Sequence, residues 1–464
     1  MTRTTAIDTA TEFVDDGRFL EDLTRRVAIR SCSQEPDLHD ELHRYLDDEL
    51  RSTLDRLGYS VEVMPNPVAG GGPFLVAERH EGDDLPTVLT YGHGDVVRGL
   101  DDKWADERSP WTVDRAGDRL YGRGTADNKG QHTINLLAIE AVLATRGRLG
   151  FNSRLLFETS EEIGSPGLRE FCAAHADRLA SDVLIASDGP RQVPDEPTMF
   201  LGTRGAMNFE LVVDLRDGAH HSGNWGGLLA NPGIRLSHAI GCLVGEHGEI
   251  KVPELRPEEI PAAVRAAVAA CRVDGGDDGP EIDTEWGEPG LEPIERLLAW
   301  NTLEVLSMVV GDPSKVVNAI PPTATAWCHI RFTVDRDPST FLPAIRRHLD
   351  EHDFDDVEVR QSENTVMEAT RLSPDHPWVQ WAAASIEATV GRPPMIAPNL
   401  GGSLPNDVFT STLSTPTVWV PHSYGSCSQH APDEHLLLPI VREGAAVMAG
   451  LFWDLGEPGT PPAG

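Results

Sequence analysis

Residues 87–95 read TVLTYGHGD, an apolar and β-branched run that ends in a histidine and an aspartate spaced by glycines. The same pattern recurs at 154–162, RLLFETSEE, and at 183–188, VLIASD. Short continuous apolar runs of this kind predict strands buried on both faces, which is the habit of parallel sheets. Between them Ile134, Leu137, Ala138, Ala141 and Val142 fall at helical spacing. Alternation of such runs with helical patterns predicts an α/β fold built on a mostly parallel sheet, with a further strand at Thr417 to Val420. Upstream, Leu42, Leu46, Leu50, Leu54 and Leu57 predict surface helices between Leu20 and Leu57, ended by Gly58.

Past Gly202 the period changes. Asn208 to Leu215 and Thr323 to Val334 alternate, and Ala324, Ala326, Cys328, Ile330 and Phe332 face one way while Trp327, His329 and Arg331 face the other. That is the signature of a sheet covered on one side. We therefore expect a discontinuous domain of residues 1–202 and 362–464, interrupted by an α+β domain at 203–361. Asp274 to Pro293, acidic and rich in Gly and Pro, reads as an exposed loop, and Gly456 to Gly464 as a frayed tail.

The 464 residues carry 39 Lys+Arg against 74 Asp+Glu, a formal charge of −35. A polyanion-binding surface needs the opposite balance, so nucleic acid and anionic membrane are poor partners. Six scattered cysteines with no C-x-x-C pair indicate neither a disulfide framework nor a thiolate zinc knuckle. With no signal-peptide core near the N-terminus and no membrane-length apolar run, the reading is a cytoplasmic protein.

The acids in the motifs decide the chemistry. His93 and Asp95, Glu161 and Glu162, and Asp188 all follow the carboxyl ends of predicted strands, where open α/β sheets gather their sites. Asp127 lies in a Gly-rich loop (GRGTADNKGQ) just before the helix expected from about Gln131, at the same rim. Taken singly, Asp127 would serve as a helix cap, Asp188-Gly189-Pro190 as a turn, and His430 as a loop histidine. Crowded into one crevice, so many carboxylates need cations. His93, Asp127, Glu162, Asp188 and His430 offer mixed nitrogen and oxygen ligands that suit Zn, Mn or Co better than Ca or Mg. Two ions sharing a carboxylate could polarise a carbonyl and activate water, as a two-metal phosphoesterase would also do. The charge of −35 disfavours a polyanionic substrate.

The spaced motifs YGHGDVV, GRGTADNKGQ, FETSEEIGSPG, ASDGP, HHSGNWGG, NAIPPTATAWCHIR, GGSLPND and SQHAPDE, from about Pro86 to Glu434, resemble one family in order and content. It is the dinuclear zinc metallopeptidases that include aminoacylase, succinyl-diaminopimelate desuccinylase, carboxypeptidase G and the carnosinase-type dipeptidases. The GGSLPND loop and the long stretch between HSGNWGG and NAIPP look most like the carnosinase-type branch.

The resemblance implies a di-metal hydrolase domain with an inserted lid and dimerisation domain. His93 and Asp188 would hold one ion, Glu162 and His430 the other, and Asp127 would bridge both. Glu161 would be the general base, and Asp95 would orient His93. If the segment around Glu161-Glu162 is extended, the two neighbours point to opposite sides and divide these roles. In the lid, His221 would reach a partner subunit's site to stabilise the oxyanion, with His220 leaving that match open by one position. Asn318 would assist, and Arg331 would pair with a substrate carboxylate. Gly402 and Ser403, with Gly401, would approach the substrate through backbone.

The implied protein is a homodimer with two divalent ions per subunit, Zn by default, that cleaves the amide bond of a dipeptide or short peptide bearing a free carboxylate. Deacylation or decarbamoylation of an N-substituted amino acid is the alternative substrate chemistry. A non-catalytic scaffold on the same fold is the alternative class, and it would have no use for Glu161.

Overall fold

The computed structural model describes residues 2–273, 279–362 and 366–460. An eight-stranded sheet runs in the order Ser60–Met64, Phe74–Arg79, Asn152–Glu158, Thr87–His93, Val183–Ala186, Thr417–Trp419, Thr198–Phe200, Met395–Ala397. Its centre is parallel: Thr87–His93 pairs in parallel with Asn152–Glu158 and with Val183–Ala186, which pairs in parallel with Thr417–Trp419. Antiparallel pairings occur toward the flanks. The continuous apolar runs are buried because both faces are covered. Val88, Leu155, Phe157 and Ile185 join one core with the helices Lys129–Arg146 and Leu438–Leu455. Leu89, Tyr91, Leu156 and Leu184 join a second core on the opposite face.

The leucines at helical spacing between Leu42 and Leu54 are fully buried, on a helical stretch from His39 to Arg56 whose polar face is outward. A helix at Arg3–Asp15 was not anticipated. Its buried stripe, Ala6, Ala10, Phe13 and Val14, packs into the same core as the C-terminal helix, but two alanines in four positions are a weak apolar signal.

A separate antiparallel sheet has the order Thr302–Val310, Thr323–Phe332, Gly205–Asp214, Val357–Gln361. Ala324, Ala326, Cys328, Ile330 and Phe332 are buried under the helices Pro232–Leu243 and Phe341–Glu351, as their alternation requires. Trp327, His329 and Arg331 occupy the less covered face. The segment between the helix Pro232–Leu243 and the strand Thr302–Val310 also contributes elsewhere: Ile260, Val264, Val268, Cys271 and Leu298 pack with Leu168, Phe171 and Leu400 in the second core of the large sheet. Of the acidic loop expected at Asp274 to Pro293, residues 274–278 lie outside the described residues. Residues 279–292 contain no helix or strand, and a short helix starts at Pro293. The last helix ends at Leu455, and residues 461–464 of the expected tail lie outside the described residues. Among the described residues no helix is long and apolar enough to cross a membrane.

Ile330 is fully buried at the centre of the smaller sheet, between Met207 and Leu303 on the flanking strands. Ile330→Ala should lower the unfolding free energy by about 2–5 kcal/mol, measured by urea titration. A loss below about 1 kcal/mol would show that this sheet is not tightly packed.

Candidate metal centre

The strand ends deliver the acids to one place. His93 closes the strand Thr87–His93 opposite Glu158, Asp188 lies two residues past Val183–Ala186, and Glu161–Ile163 forms a tight turn after Asn152–Glu158. Asp127 precedes Asn128, which occupies the cap position of the helix Lys129–Arg146 without a side-chain capping bond. Asp127 is therefore free of the capping role its position suggested. Its carboxylate lies between two imidazoles: Oδ1 is 2.9 Å from His93 Nε2 and Oδ2 is 3.0 Å from His430 Nε2. Asp188 Oδ2 lies 3.7 Å from His93 Nε2, and Glu162 Oε2 lies 3.0 Å from His430 Nε2. Two potential ligand triads result, His93–Asp127–Asp188 and Asp127–Glu162–His430, with Asp127 in both.

Supporting groups fix these side chains. His93 Nδ1 donates toward Asp95, whose backbone O is at 3.1 Å and carboxylate at 3.3 Å, and this leaves Nε2 facing Asp127. Asp95, fully buried, also accepts from the backbone N–H groups of Glu161 at 3.2 Å and Glu162 at 3.1 Å. One carboxylate thus couples the histidine to the turn that carries both glutamates. That turn corrects the expectation of an extended segment: Glu161 and Glu162 diverge because they sit on a 3₁₀ turn, where successive side chains differ by about 120°.

Two further buried groups had no role in the sequence reading. Glu434 Oε1 accepts from the N–H groups of Gly124, Ala126 and Asp127 at 3.0, 2.9 and 3.1 Å, and its other oxygen is 2.6 Å from the buried guanidinium of Arg123. This pair shapes the loop that presents Asp127. The acid stands within SQHAPDE, but neighbouring acids in an acid-rich chain gave no reason to choose it. Gln429, beside His430, donates to Asp127 Oδ2. The loop holding His430 has Ser428, His430 and Asp433 at φ of 57°, 61° and 61°, left-handed conformations that cost free energy for residues with a Cβ. They are held by the Glu434 bonds and by a bond from Ala105 N to Asp433 at 3.1 Å.

The electrostatics fit cations. Burial, with the charge of Asp127 added, pushes both Glu162 and Asp188 up to about 7. Burial also raises Glu161 well above the usual carboxylate range, reinforced by Glu162, Asp188 and Asp127 and opposed by His93. For Asp127 burial acts in the same sense, but hydrogen bonds from His430 and His93 outweigh it and hold this group below its ordinary range. His430, bonded to Asp127 and Glu162, is raised to about 11. Asp188 Oδ2 is buried with no hydrogen-bond partner. An orphaned carboxylate oxygen beside a histidine and a second carboxylate is what a divalent ion would satisfy, and the nitrogen and oxygen donors suit Zn, Mn or Co. The side chain of His430 is 53% exposed while those of Asp127 and Glu162 are 6% and 3%, so the centre opens to solvent on the His430 side.

The expected lid residues fall into two groups. Arg331 donates from Nη1 to Ser403 Oγ at 2.9 Å, and Ser403 Oγ donates to Arg204 O at 2.6 Å. Arg204 itself, missed in the sequence at the domain junction, is lowered to about 9 by burial and by the charge of Arg331. Two guanidinium groups therefore share one buried corner beside Gly401, whose carbonyl accepts from Arg204 Nε at 2.9 Å. A Cβ at Gly401 would collide with Leu297, whereas at Gly402 it would meet only Leu400 at 3.7 Å, so packing does not require glycine at 402. His221 and Asn318 sit elsewhere, in a ribbon where His221 pairs with Ala319 and Ser222 N donates to Asn318 O at 2.8 Å. Both are exposed, and among the described residues no hydrogen bond or ion pair ties them to the triads. His220 is more covered and meets Trp225 edge-on.

Paired triads with a shared carboxylate at the carboxyl ends of parallel strands define a metallohydrolase of the α/β class. The model of Peptidase family M20/M25/M40 matches residues 89–454, and the chain belongs to that family. It is 27% identical to the human Beta-Ala-His dipeptidase, over 95% of this chain and 90% of that one. It is 25% identical to the Cysteinylglycine-S-conjugate dipeptidase of Corynebacterium striatum, over 93% of this chain and 89% of that one. The crystal structure of human carnosine dipeptidase 1 superposes with a TM-score of 0.77 at 24% identity, covering 97% of this chain and 99% of that one, a likeness of fold.

If Glu434 shapes the Asp127 loop, Glu434→Gln should weaken metal binding about 10- to 100-fold, measured by competition with a fluorescent chelator. Unchanged affinity would show that the loop holds its shape without the Arg123–Glu434 pair.

Proposed function

We propose that the chain is a dipeptidase that hydrolyses the amide bond of a dipeptide or short peptide with a free carboxylate. The observation carrying this reading is the sharing of Asp127 between two triads, with Glu161 beside them. His93, Asp127 and Asp188 would hold one divalent ion, and Asp127, Glu162 and His430 the other, with Zn as the default ion. Such a pair polarises a scissile carbonyl and lowers the pKa of water. Glu161, a carboxyl raised by its surroundings, takes a proton from the attacking water and returns it to the leaving amine. Asp95 holds His93 and the Glu161–Glu162 turn in register through the bonds described above.

The paired guanidiniums of Arg331 and Arg204 favour an anionic group, so Arg331, with Ser403 and the open backbone at Gly402, receives the substrate carboxylate. The relatives named dipeptidases support this choice over deacylation. We take residues 1–202 and 362–464 as the catalytic domain and 203–361 as the lid, whose segment around 260–299 packs back on the catalytic core.

We read the active form as a homodimer. The edge strand Thr302–Val310 exposes Val305, Leu306, Met308, Val309 and Val310, and the adjoining Val316 and Val317 are 85% and 69% exposed. An apolar, unpaired strand edge of this kind is suited to another copy of itself. In that arrangement His221 and Asn318, which among the described residues make no hydrogen bond to their own triads, serve the partner's oxyanion. Six free cysteines, five of them buried, accord with a cytoplasmic location.

The test is hydrolysis of unblocked dipeptides beside N-acetyl and N-carbamoyl amino acids, on chelator-stripped protein with Zn, Mn or Co restored. Metal-dependent cleavage of the dipeptides supports the reading, and cleavage of the blocked amino acids alone replaces it with a deacylase. Glu161→Gln should keep its metals but lose about 100- to 10,000-fold in kcat, and full turnover in this variant removes the base role. Arg331→Ala should cost about 1.5–3 kcal/mol in kcat/KM for substrates with a free carboxylate and little for amidated ones. Equal losses on both would contradict carboxylate recognition.

A further inference from the structure

On the lid, far along the chain from the triads, the helices Pro232–Leu243 and Phe341–Glu351 lie side by side over the smaller sheet. Cys242, His348 and His352 meet in the groove between them, each offering a ligand atom, and these atoms lie within 4.8 Å of one another. His348 and His352 are four residues apart, on one face of their helical turn, and their rings are 4.4 Å apart. His238, four residues before Cys242, lines the same groove. Of the six cysteines, Cys242 alone is not fully buried.

Both histidines are set by backbone. His348 Nε2 donates to the carbonyl of Cys242 at 3.1 Å, and His352 Nδ1 donates to the carbonyl of His348 at 2.8 Å. Each ring therefore uses one nitrogen as a donor and keeps a lone pair on the other, the arrangement that orients metal-binding histidines. Of the cations that line the groove, Lys251 is directed to the carbonyl of Gly241 at 2.9 Å and Arg235 is paired with Asp356.

We propose that Cys242, His348 and His352 form a second, separate Zn²⁺ site on the lid. A thiolate with imidazoles selects Zn²⁺ over Mg²⁺ or Ca²⁺, and three such donors leave one tetrahedral position for water. Binding deprotonates the thiol and releases that proton to solvent. An ion there joins the two covering helices of the lid and leaves the peptidase centre untouched.

Sulfur makes the two kinds of site distinguishable, because the catalytic triads contain none. Full-length protein, stripped of metal and titrated with Co²⁺, should develop a thiolate-to-cobalt charge-transfer absorption. Cys242→Ser should abolish it, and His352→Gln, at the exposed end of its helix, should weaken it at least tenfold in cobalt concentration. Zn²⁺ bound per chain should fall from three to two in Cys242→Ser, with dipeptide hydrolysis unchanged. A Zn²⁺ content per chain that Cys242→Ser leaves unchanged, or a charge-transfer band that persists in Cys242→Ser, overturns the site. Neither result depends on what the catalytic centre hydrolyses.

Discussion

One carboxylate, that of Asp127, is shared between two imidazoles, and the surrounding structure is arranged to make that sharing possible. Around it Glu162 and Asp188 are desolvated acids whose ionisation burial opposes. Such a cluster is costly by itself and becomes favourable when positive charge enters. The protein therefore keeps the geometry with groups that do not themselves need the ion. Asp95 anchors one histidine and one turn, and Glu434 with Arg123 anchors the loop of Asp127.

The large sheet explains why these groups meet. Parallel strands buried on both faces end at a common edge, so residues more than thirty positions apart in the chain arrive together. The smaller sheet does the complementary work. It buries one face under helices and turns Arg331 toward Ser403 and Arg204, which places a positive corner beside the loop of Gly401 and Gly402. His221 and Asn318 lie on a separate two-stranded ribbon, and among the described residues no hydrogen bond joins them to the triads.

Much of this was legible in the sequence because it is written in period and order. Runs such as VLTY and VLIA announce strands covered on both sides, and TATAWCHIRF announces one covered on a single side. Ligand types following those runs mark the rim. What escaped notice is held by tertiary contact alone. Glu434 and Arg123 are a long-range pair, and Arg204 matters only because Arg331 is folded beside it. The N-terminal helix declares itself through packing on the last helix, since its own apolar stripe is thin. Cys242 and the two histidines are over a hundred residues apart, so neither resembles a ligand motif until the helices are laid together.

Whether Asp127 is common to two metal positions can be read from anomalous diffraction by crystals of the Mn²⁺-loaded protein. Two peaks are expected, one on each side of Asp127, bordered by His93 and Asp188 and by Glu162 and His430. A single peak, or a pair in which Asp127 contacts only one ion, would contradict the sharing of Asp127.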